Sequence, residues 1–201
     1  MTEDLVTKIF LMVMITFVFV AFLMPFIKRM AFHVGALDIP NKRKVHQKPM
    51  PRLGGLGIFA GFLFGYMLFG EPSSVMNSVL IGSFIIVLIG AIDDIRPVKA
   101  SVKFACQLAA AMVVAIYGKL LIQDLSAFGY FIDFGWFAYP ITIFFILGCV
   151  NCINLIDGLD GLAGGLSAIA YIAFALISLT VLLEIPPPTS ITLLISIFDI
   201  T

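Results

Sequence analysis

The chain has 201 residues, of which 61% are hydrophobic and 12% are charged, and its mean hydropathy is +1.13. Soluble domains are about 45–50% apolar and about 25% charged, so the composition excludes an ordinary globular domain, a disordered chain and a collagen-like chain. The 12 basic and 12 acidic residues cancel. Net charge therefore indicates no partner, and no nucleic-acid partner is predicted.

Six apolar runs are long enough to predict helices that cross a bilayer, because about 20 apolar residues span its hydrocarbon core. In chain order they are Leu5–Ile27, Leu53–Phe69, Met76–Ile92, Phe104–Ile122, Trp136–Ile156 and Leu162–Leu183. A seventh run, Ile191–Ile200, has about half the required length. The predicted fold is therefore an all-α integral membrane protein, a polytopic helical bundle with six full transmembrane helices and a partial seventh.

The basic residues predict the orientation of these spans. Ten of the 12 lie between spans one and two or between spans three and four, and only Lys8 and Lys119 fall on the other side. Loops rich in lysine and arginine stay in the cytosol. The N-terminus is therefore predicted outside, and the loops after spans one, three and five are predicted to be cytosolic.

The first cytosolic loop, Asp38–Gly57, is basic, carries His46 and Lys48, and ends in Gly54-Gly55 at the start of a predicted helix. Exposed backbone N–H groups at such a helix start can bind phosphate. The alternative is a loop that only fixes topology or touches anionic lipid head groups. Spacing alone leaves both readings open.

A pair of aspartates, Asp93 and Asp94, stands at the predicted cytosolic end of span three. The negative end of the helix dipole disfavours carboxylates there. A bound Mg²⁺ or a lysine partner would relieve the repulsion. The alternative is a solvated helix end whose charges pair with Arg96 and Lys99.

Between spans five and six, polar residues recur every third position: Asn151, Asn154, Asp157 and Asp160. Residues three apart share a helix face, and a carboxylate in hydrocarbon costs about 2.5–3.5 kcal/mol on insertion scales. Two carboxylates and two amides on one stripe therefore indicate a site, although a helix hairpin capped by its own amides is the alternative. Together with Lys103 and the basic loop, the aspartates fit phosphoryl transfer between a soluble phosphate donor and a lipid phosphate.

Three segments carry a specific resemblance: RKVHQKPMPRLGG, AIDDIRPVKASVKF and NCINLIDGLDGLAGGLS. They resemble the polyprenyl-phosphate N-acetylhexosamine-1-phosphate transferases, which are related to the MraY-type enzymes. The likeness is closest to the undecaprenyl-phosphate GlcNAc-1-phosphate transferase branch and runs from about Leu5 to Leu183. It implies transfer of N-acetylglucosamine-1-phosphate from UDP-GlcNAc to undecaprenyl phosphate, with release of UMP. That reaction is the first membrane step of cell-wall or surface polysaccharide synthesis.

The resemblance also implies a role for each matched residue. Asp93, Asp94 and Asp157 are implied to be catalytic, and Asp94 and Asp157 to hold Mg²⁺, with Mn²⁺ as the alternative ion. The implied substrate-binding residues are Lys103, Asn154, Asp160, His46 and Lys48. The implied setting is the bacterial inner membrane, with multiple spans, a cytosolic active face, membrane lipid around the chain and a homodimer left open.

The chain departs from the family after span six. Residues 184–201 do not resemble it, and a later Gly-Asp-x-Gly-Ser run and a histidine-rich loop are not found. We therefore expect residues 1–183 to be the N-terminal half of a transferase membrane domain, residues 184–201 to be a divergent truncated C-terminus, and the chain to be inactive alone. A non-catalytic membrane fragment is the main alternative. A transporter is less consistent, because the aspartates cluster at one surface.

Overall fold

The computed structural model describes residues 2–38, 49–127, 130–156 and 162–182. The chain divides into two compact units, 1–119 and 120–201. His46, Lys48, Asp157 and Asp160 lie outside the described residues, as do the turn predicted near Asp157 and the partial seventh span.

Each of the six long apolar runs contains a helix, which confirms the all-α prediction. The helices are α1 Thr2–Val34, α2 Gly54–Phe69, α3 Ser74–Ile95, α4 Ala100–Met112, α5 Ala138–Ile156 and α6 Leu162–Leu182. Within the described residues, four helical stretches are long and apolar enough to cross a membrane: Thr7–Val34, Ser74–Ile95, Ala100–Tyr117 and Gly135–Ile156. Two shorter apolar helices occupy Gly54–Phe69 and Leu162–Ser178. The number of spans and the side of the N-terminus stay predictions.

The fourth predicted run does not stay helical to Ile122. A single π-helical turn, Val113–Tyr117, continues α4, and the backbone then turns through Lys119, which has a left-handed φ of 52°. The Ile122 N–H instead donates to the Thr142 hydroxyl at 2.8 Å. The end of this helix predicted from hydrophobicity alone is therefore wrong, since helical structure ends at Tyr117.

Helices α1 and α2 pack closely because α2 presents three buried glycines to α1. Gly57, Gly61 and Gly65 stand one helical turn apart and face α1 residues Met24, Val20 and Thr16 respectively. Small residues at this spacing let two membrane helices approach without side chains between them. Phe19 and Phe64 stack beside this contact, with ring centroids 4.0 Å apart.

Helix α3 packs against α4 and its π-helical continuation through another set of small residues. Ser78 is fully buried, and its hydroxyl donates to the Val75 carbonyl at 2.6 Å. Gly118 approaches Ser78 so closely that a Cβ there would clash with the serine side chain. A Cβ at Gly82 would be in tight contact, 3.0 Å from Val114 Cγ2 and 3.2 Å from the Ala110 carbonyl oxygen. Close backbone approach therefore fixes this helix pair as well.

The two ends of the first loop are held together by a short antiparallel ladder. Strand β1, Leu37–Asp38, pairs with β2, Met50–Pro51, with Leu37 opposite Pro51 and Asp38 opposite Met50. A small apolar cluster lies beside the ladder; it consists of Ile27, Ala31, Ala36 and Leu53, with Leu23, Met30, Leu56 and Ala91 packed against it. Ala91 belongs to α3, so this cluster joins the loop base to the end of that helix.

The second unit contains a β-hairpin between the fourth and fifth apolar runs. Strands β3, Asp124–Ala127, and β4, Tyr130–Asp133, pair antiparallel, and a 3₁₀ turn, Gly135–Phe137, leads into α5. The hairpin is a local addition to an otherwise helical fold. Trp136 is 89% exposed, and its ring lies 6.3 Å from that of Tyr139. Exposed aromatic residues at a helix start are typical of a membrane–water interface.

The packing of α2 on α1 predicts different effects on the free energy of unfolding when Gly61 or Gly55 is changed to alanine. Gly61→Ala places a methyl group against Val20 and is expected to lower the free energy of unfolding by about 1–3 kcal/mol through overpacking. Gly55→Ala, in the same helix, meets nothing within 4 Å and is expected to be neutral or stabilising by up to about 1 kcal/mol. Unfolding of the purified chain in detergent measures both, and equal effects would contradict the packing described.

Candidate active site

The α3–α4 corner carries the first predicted site residues, and its turn is set by a proline. Pro97 has no N–H and cannot continue α3, and the residue before a proline favours an extended backbone. Arg96 accordingly ends α3 with φ −141° and ψ 122°. Only residues 96–99 separate the two helices. The end of α3 and the start of α4 are therefore neighbours.

The Asp93 carboxylate joins these two helices with both of its oxygens. Oδ1 accepts the Val98 backbone N–H at 2.9 Å, and Oδ2 accepts from Lys103 Nζ at 3.1 Å. The two side chains are 29% and 26% exposed, respectively. A lysine partner is one of the two means expected to relieve charge repulsion at this helix end. The alternative, in which Arg96 or Lys99 pairs with the aspartates, does not describe Asp93, whose partners are Val98 and Lys103.

Asp94 follows Asp93 in the last turn of α3 and is half-buried. Carboxylate oxygen is a donor that Mg²⁺ prefers, and Asp94 is one of the two aspartates predicted to hold the ion. The predicted metal pair also includes Asp157, outside the described ranges. Among the residues that are described, no group of three or more His, Cys, Asp or Glu side chains could hold a metal ion. The metal assignment stays a prediction.

The amides of α5 divide into two kinds. Asn151 is half-buried, and its Nδ2 donates to the Leu147 carbonyl one turn earlier at 2.8 Å. That contact fits the reading in which an amide satisfies its own helix. Asn154 is exposed. The convergence of this stripe with Asp93 and Asp94 is not tested, because Asp157 and Asp160 lie outside the described part of the chain.

A second ion pair, which the sequence reasoning missed, lies at the base of the first loop. Arg52 Nη2 donates to Asp38 Oδ1 at 2.7 Å, across the ladder of β1 and β2. The sequence signal for this pair was the position of Asp38 before the basic stretch of the loop and of Arg52 at its end. His46 and Lys48 are within that stretch, beyond the residues described.

Together these features define a class: a polytopic helical membrane protein with a half-buried carboxylate–lysine pair beside a second aspartate at one helix end. The sequence profile of glycosyl transferase family 4 matches residues 76–198. The match covers more than half of the chain, and the protein therefore belongs to glycosyl transferase family 4. It also extends into residues 184–201, so the separation of that segment as divergent stays a prediction.

Curated relatives carry more specific names. The chain is 39% identical over 153 residues to the probable undecaprenyl-phosphate N-acetylglucosaminyl 1-phosphate transferase of Bacillus subtilis (strain 168), covering 75% of this chain and 43% of the relative. It is 34% identical over 142 residues to the undecaprenyl-phosphate alpha-N-acetylglucosaminyl 1-phosphate transferase of Escherichia coli (strain K12). That match covers 67% of this chain and 37% of the relative. The chain thus spans about two fifths of the length of these relatives. No solved structure matches it.

Asp93 is expected to contribute to stability mainly through its contact with the Val98 N–H. Asp93→Ala removes this acceptor and should lower the free energy of unfolding by about 1–3 kcal/mol. Asp93→Asn keeps an oxygen for Val98 while losing the ion pair with Lys103, and partly exposed ion pairs contribute only about 0–1 kcal/mol. Chemical unfolding in detergent compares the two variants, and hydrogen exchange at the Val98 amide locates the change. Equal losses for both would contradict this assignment.

Proposed function

We propose that this chain forms part of a membrane enzyme that transfers N-acetylglucosamine-1-phosphate from UDP-GlcNAc to undecaprenyl phosphate and releases UMP. The observation that carries the proposal is the Asp93–Lys103 pair beside Asp94 at one end of an apolar helix, in a chain of glycosyl transferase family 4. The names of the relatives supply the acceptor and the transferred sugar. Because the chain covers about two fifths of their length, the activity is proposed for the site and not for an isolated fragment.

The proposed reaction brings two anions together. A phosphate oxygen of the lipid attacks the phosphorus that carries the sugar. A new phosphorus–oxygen bond forms, and the bond to the UMP oxygen breaks with its electron pair. Positive charge is needed where the two phosphates meet and where UMP leaves. Lys103 supplies one such charge, since an ammonium group has three N–H donors and one contact with Asp93 leaves others for a phosphate.

The proposed metal is Mg²⁺, or Mn²⁺ in its place, held by Asp94 together with Asp157. A divalent ion at such a site polarises phosphoryl oxygens and offsets their charge. Within the described residues the donor chemistry fits, since Asp94 offers carboxylate oxygen, a donor that Mg²⁺ prefers. His46, Lys48, Asn154 and Asp160 are proposed to contact the substrates.

The contacts of Asp93 favour a holding role for this residue over proton transfer. Its two oxygens already accept hydrogen bonds from the corner that it stabilises. A phosphate monoester oxygen is largely deprotonated near neutral pH and needs little help from a general base. We therefore assign to Asp93 the orientation of Lys103, and to Asp94 the direct role among the aspartates.

The proposed setting is the bacterial inner membrane, with this site on the cytosolic side. Supporting this, the α3–α4 corner carries Arg96, Lys99 and Lys103, and seven further basic residues lie between the first and second apolar runs. Basic loops remain cytosolic. Homodimerisation stays a prediction.

Because the chain alone is expected to be inactive, the activity is tested in a chimera that joins residues 1–183 to the remaining part of the Bacillus subtilis relative. Transfer of radiolabel from UDP-GlcNAc to undecaprenyl phosphate is measured in liposomes with Mg²⁺. Asp94→Asn should lower transfer by about 100-fold, a loss typical of removing one charge-stabilising group, and chelation of the metal should abolish it. Asp124→Asn, in the hairpin, should leave transfer unchanged. Loss of transfer in both variants, or in neither, would contradict the assignment of Asp94.

A binding readout separates an enzyme site from a non-catalytic membrane fragment. Modification of Asp94 by a water-soluble carbodiimide, read by mass spectrometry, should slow when Mg²⁺ is added. Asp124 serves as the control carboxylate and should react at the same rate with and without the ion. Equal behaviour of the two carboxylates would favour the fragment.

The orientation is tested with single cysteines in a chain whose three native cysteines are replaced by alanine. A cysteine at Lys99 should resist a membrane-impermeant maleimide added to intact cells, and a cysteine at Asp124 should react. Permeabilising the inner membrane should make both react. The reverse pattern would invert the proposed topology.

A further inference from the structure

Arg52 is placed where the chain returns from the first loop to the membrane helices. It follows β2 directly and precedes Leu53, which is 3% exposed and anchors the apolar cluster. Its backbone N–H donates to the Ala36 carbonyl at 3.1 Å. Its guanidinium donates to Asp38 at 2.7 Å. Backbone and side chain of one residue therefore bind the outgoing and the returning segments of the loop to each other.

The ladder itself is too short to hold the loop base alone. It pairs two residues on each side, one of which is Pro51, and a proline has no N–H to donate. A two-stranded ladder is marginally stable even at greater length. A hydrogen bond between two charged groups is among the stronger contacts available, and Asp38 is only 18% exposed. The ion pair thus adds a side-chain contact to the ladder at the loop base.

The closed loop base lies against the candidate site. Ala91, two residues before Asp93, packs on the cluster that contains Leu53. Asp93 in turn binds Lys103. The loop base is therefore linked to the α3–α4 corner through the end of α3.

We propose that Arg52 is a positioning residue that closes the base of the first loop through Asp38 and fixes it beside the Asp93–Lys103 pair. The effect on turnover rests on the proposed function, whereas the closure of the loop base does not. The competing reading is that Arg52 binds a substrate phosphate itself, since its side chain is 45% exposed. The two readings differ in whether another bond across the loop base can replace the arginine.

The first experiment tests the contact without any need for activity. In Arg52→Lys, a carbodiimide should join the lysine amine at position 52 to Asp38, because a zero-length coupling needs the two groups in contact. The native Asp93–Lys103 pair, at 3.1 Å, is the positive control, and Lys8 and Lys119 are native amines that should not couple to Asp38. Coupling of Asp38 in yield similar to the Asp93–Lys103 pair supports the closure. Its absence while that control couples overturns it.

The second experiment separates positioning from direct binding by replacing the ion pair with a covalent bond. Leu37→Cys and Pro51→Cys face each other across the ladder, at a separation that a disulfide can span. In the chimera used for the transfer assay, Cys106, Cys149, Cys152 and the cysteines of the joined part are changed to alanine so that this pair alone can oxidise. In this background, Arg52→Gln under reducing conditions should raise the KM for UDP-GlcNAc about tenfold and change kcat less than about threefold.

Oxidation to the 37–51 disulfide should return the KM of Arg52→Gln to that of the Arg52 parent treated in the same way. A KM that stays raised after complete oxidation would overturn the positioning role in favour of direct contact with substrate. If the parent itself transfers no sugar phosphate, the proposed function fails. The coupling of position 52 to Asp38 then still decides whether Arg52 closes the loop.

Discussion

The candidate site depends on one carboxylate that bridges two helices. Asp93 lies at the negative end of α3, where a lone acid would be unfavourable, and it is stabilised there by the Val98 N–H and the Lys103 amine. The same contacts hold the α3–α4 corner closed and aim Lys103 along the end of α3. Asp93 therefore has two roles: it stabilises the fold, and it holds a residue of the proposed active site. The lysine is held in place by the acid, and the neighbouring Asp94 provides a second carboxylate in the same helical turn.

Close backbone approach holds the described helix pairs of the first unit together. In a bilayer, lipid tails are as apolar as leucine, so helices associate through close packing and not through the hydrophobic effect. Gly57, Gly61 and Gly65 bring α2 onto α1, and Ser78 with Gly118 does the same for α3 and the helix that follows. The large apolar side chains, such as Phe22 and Phe144, are left largely exposed. This arrangement is the reverse of a soluble protein and suits a lipid surrounding.

Sequence patterns were sufficient for the helices, and insufficient where a single hydrogen bond decides the path of the backbone. Apolar length predicted all six helices, because a helix satisfies its own backbone in lipid. The end of α4 was wrong, since Ile122 is as apolar as the residues before it but donates its N–H to Thr142. For the aspartate pair, sequence left a metal and a lysine as alternatives; the fold supplies the lysine for Asp93 and leaves the metal at Asp94 a proposal. The Arg52–Asp38 pair joins residues 14 apart, and no local periodicity marks such a contact.

Trp136 makes the intrinsic fluorescence of the protein specific to one position. It is the single tryptophan of the chain, it is 89% exposed, and it immediately precedes the helix that begins at Ala138. Indole emission depends on the polarity around the ring, and here all of it arises from one place. The protein therefore contains an optical probe of the solvent at the beginning of α5, with no dye attached and no background from a second indole.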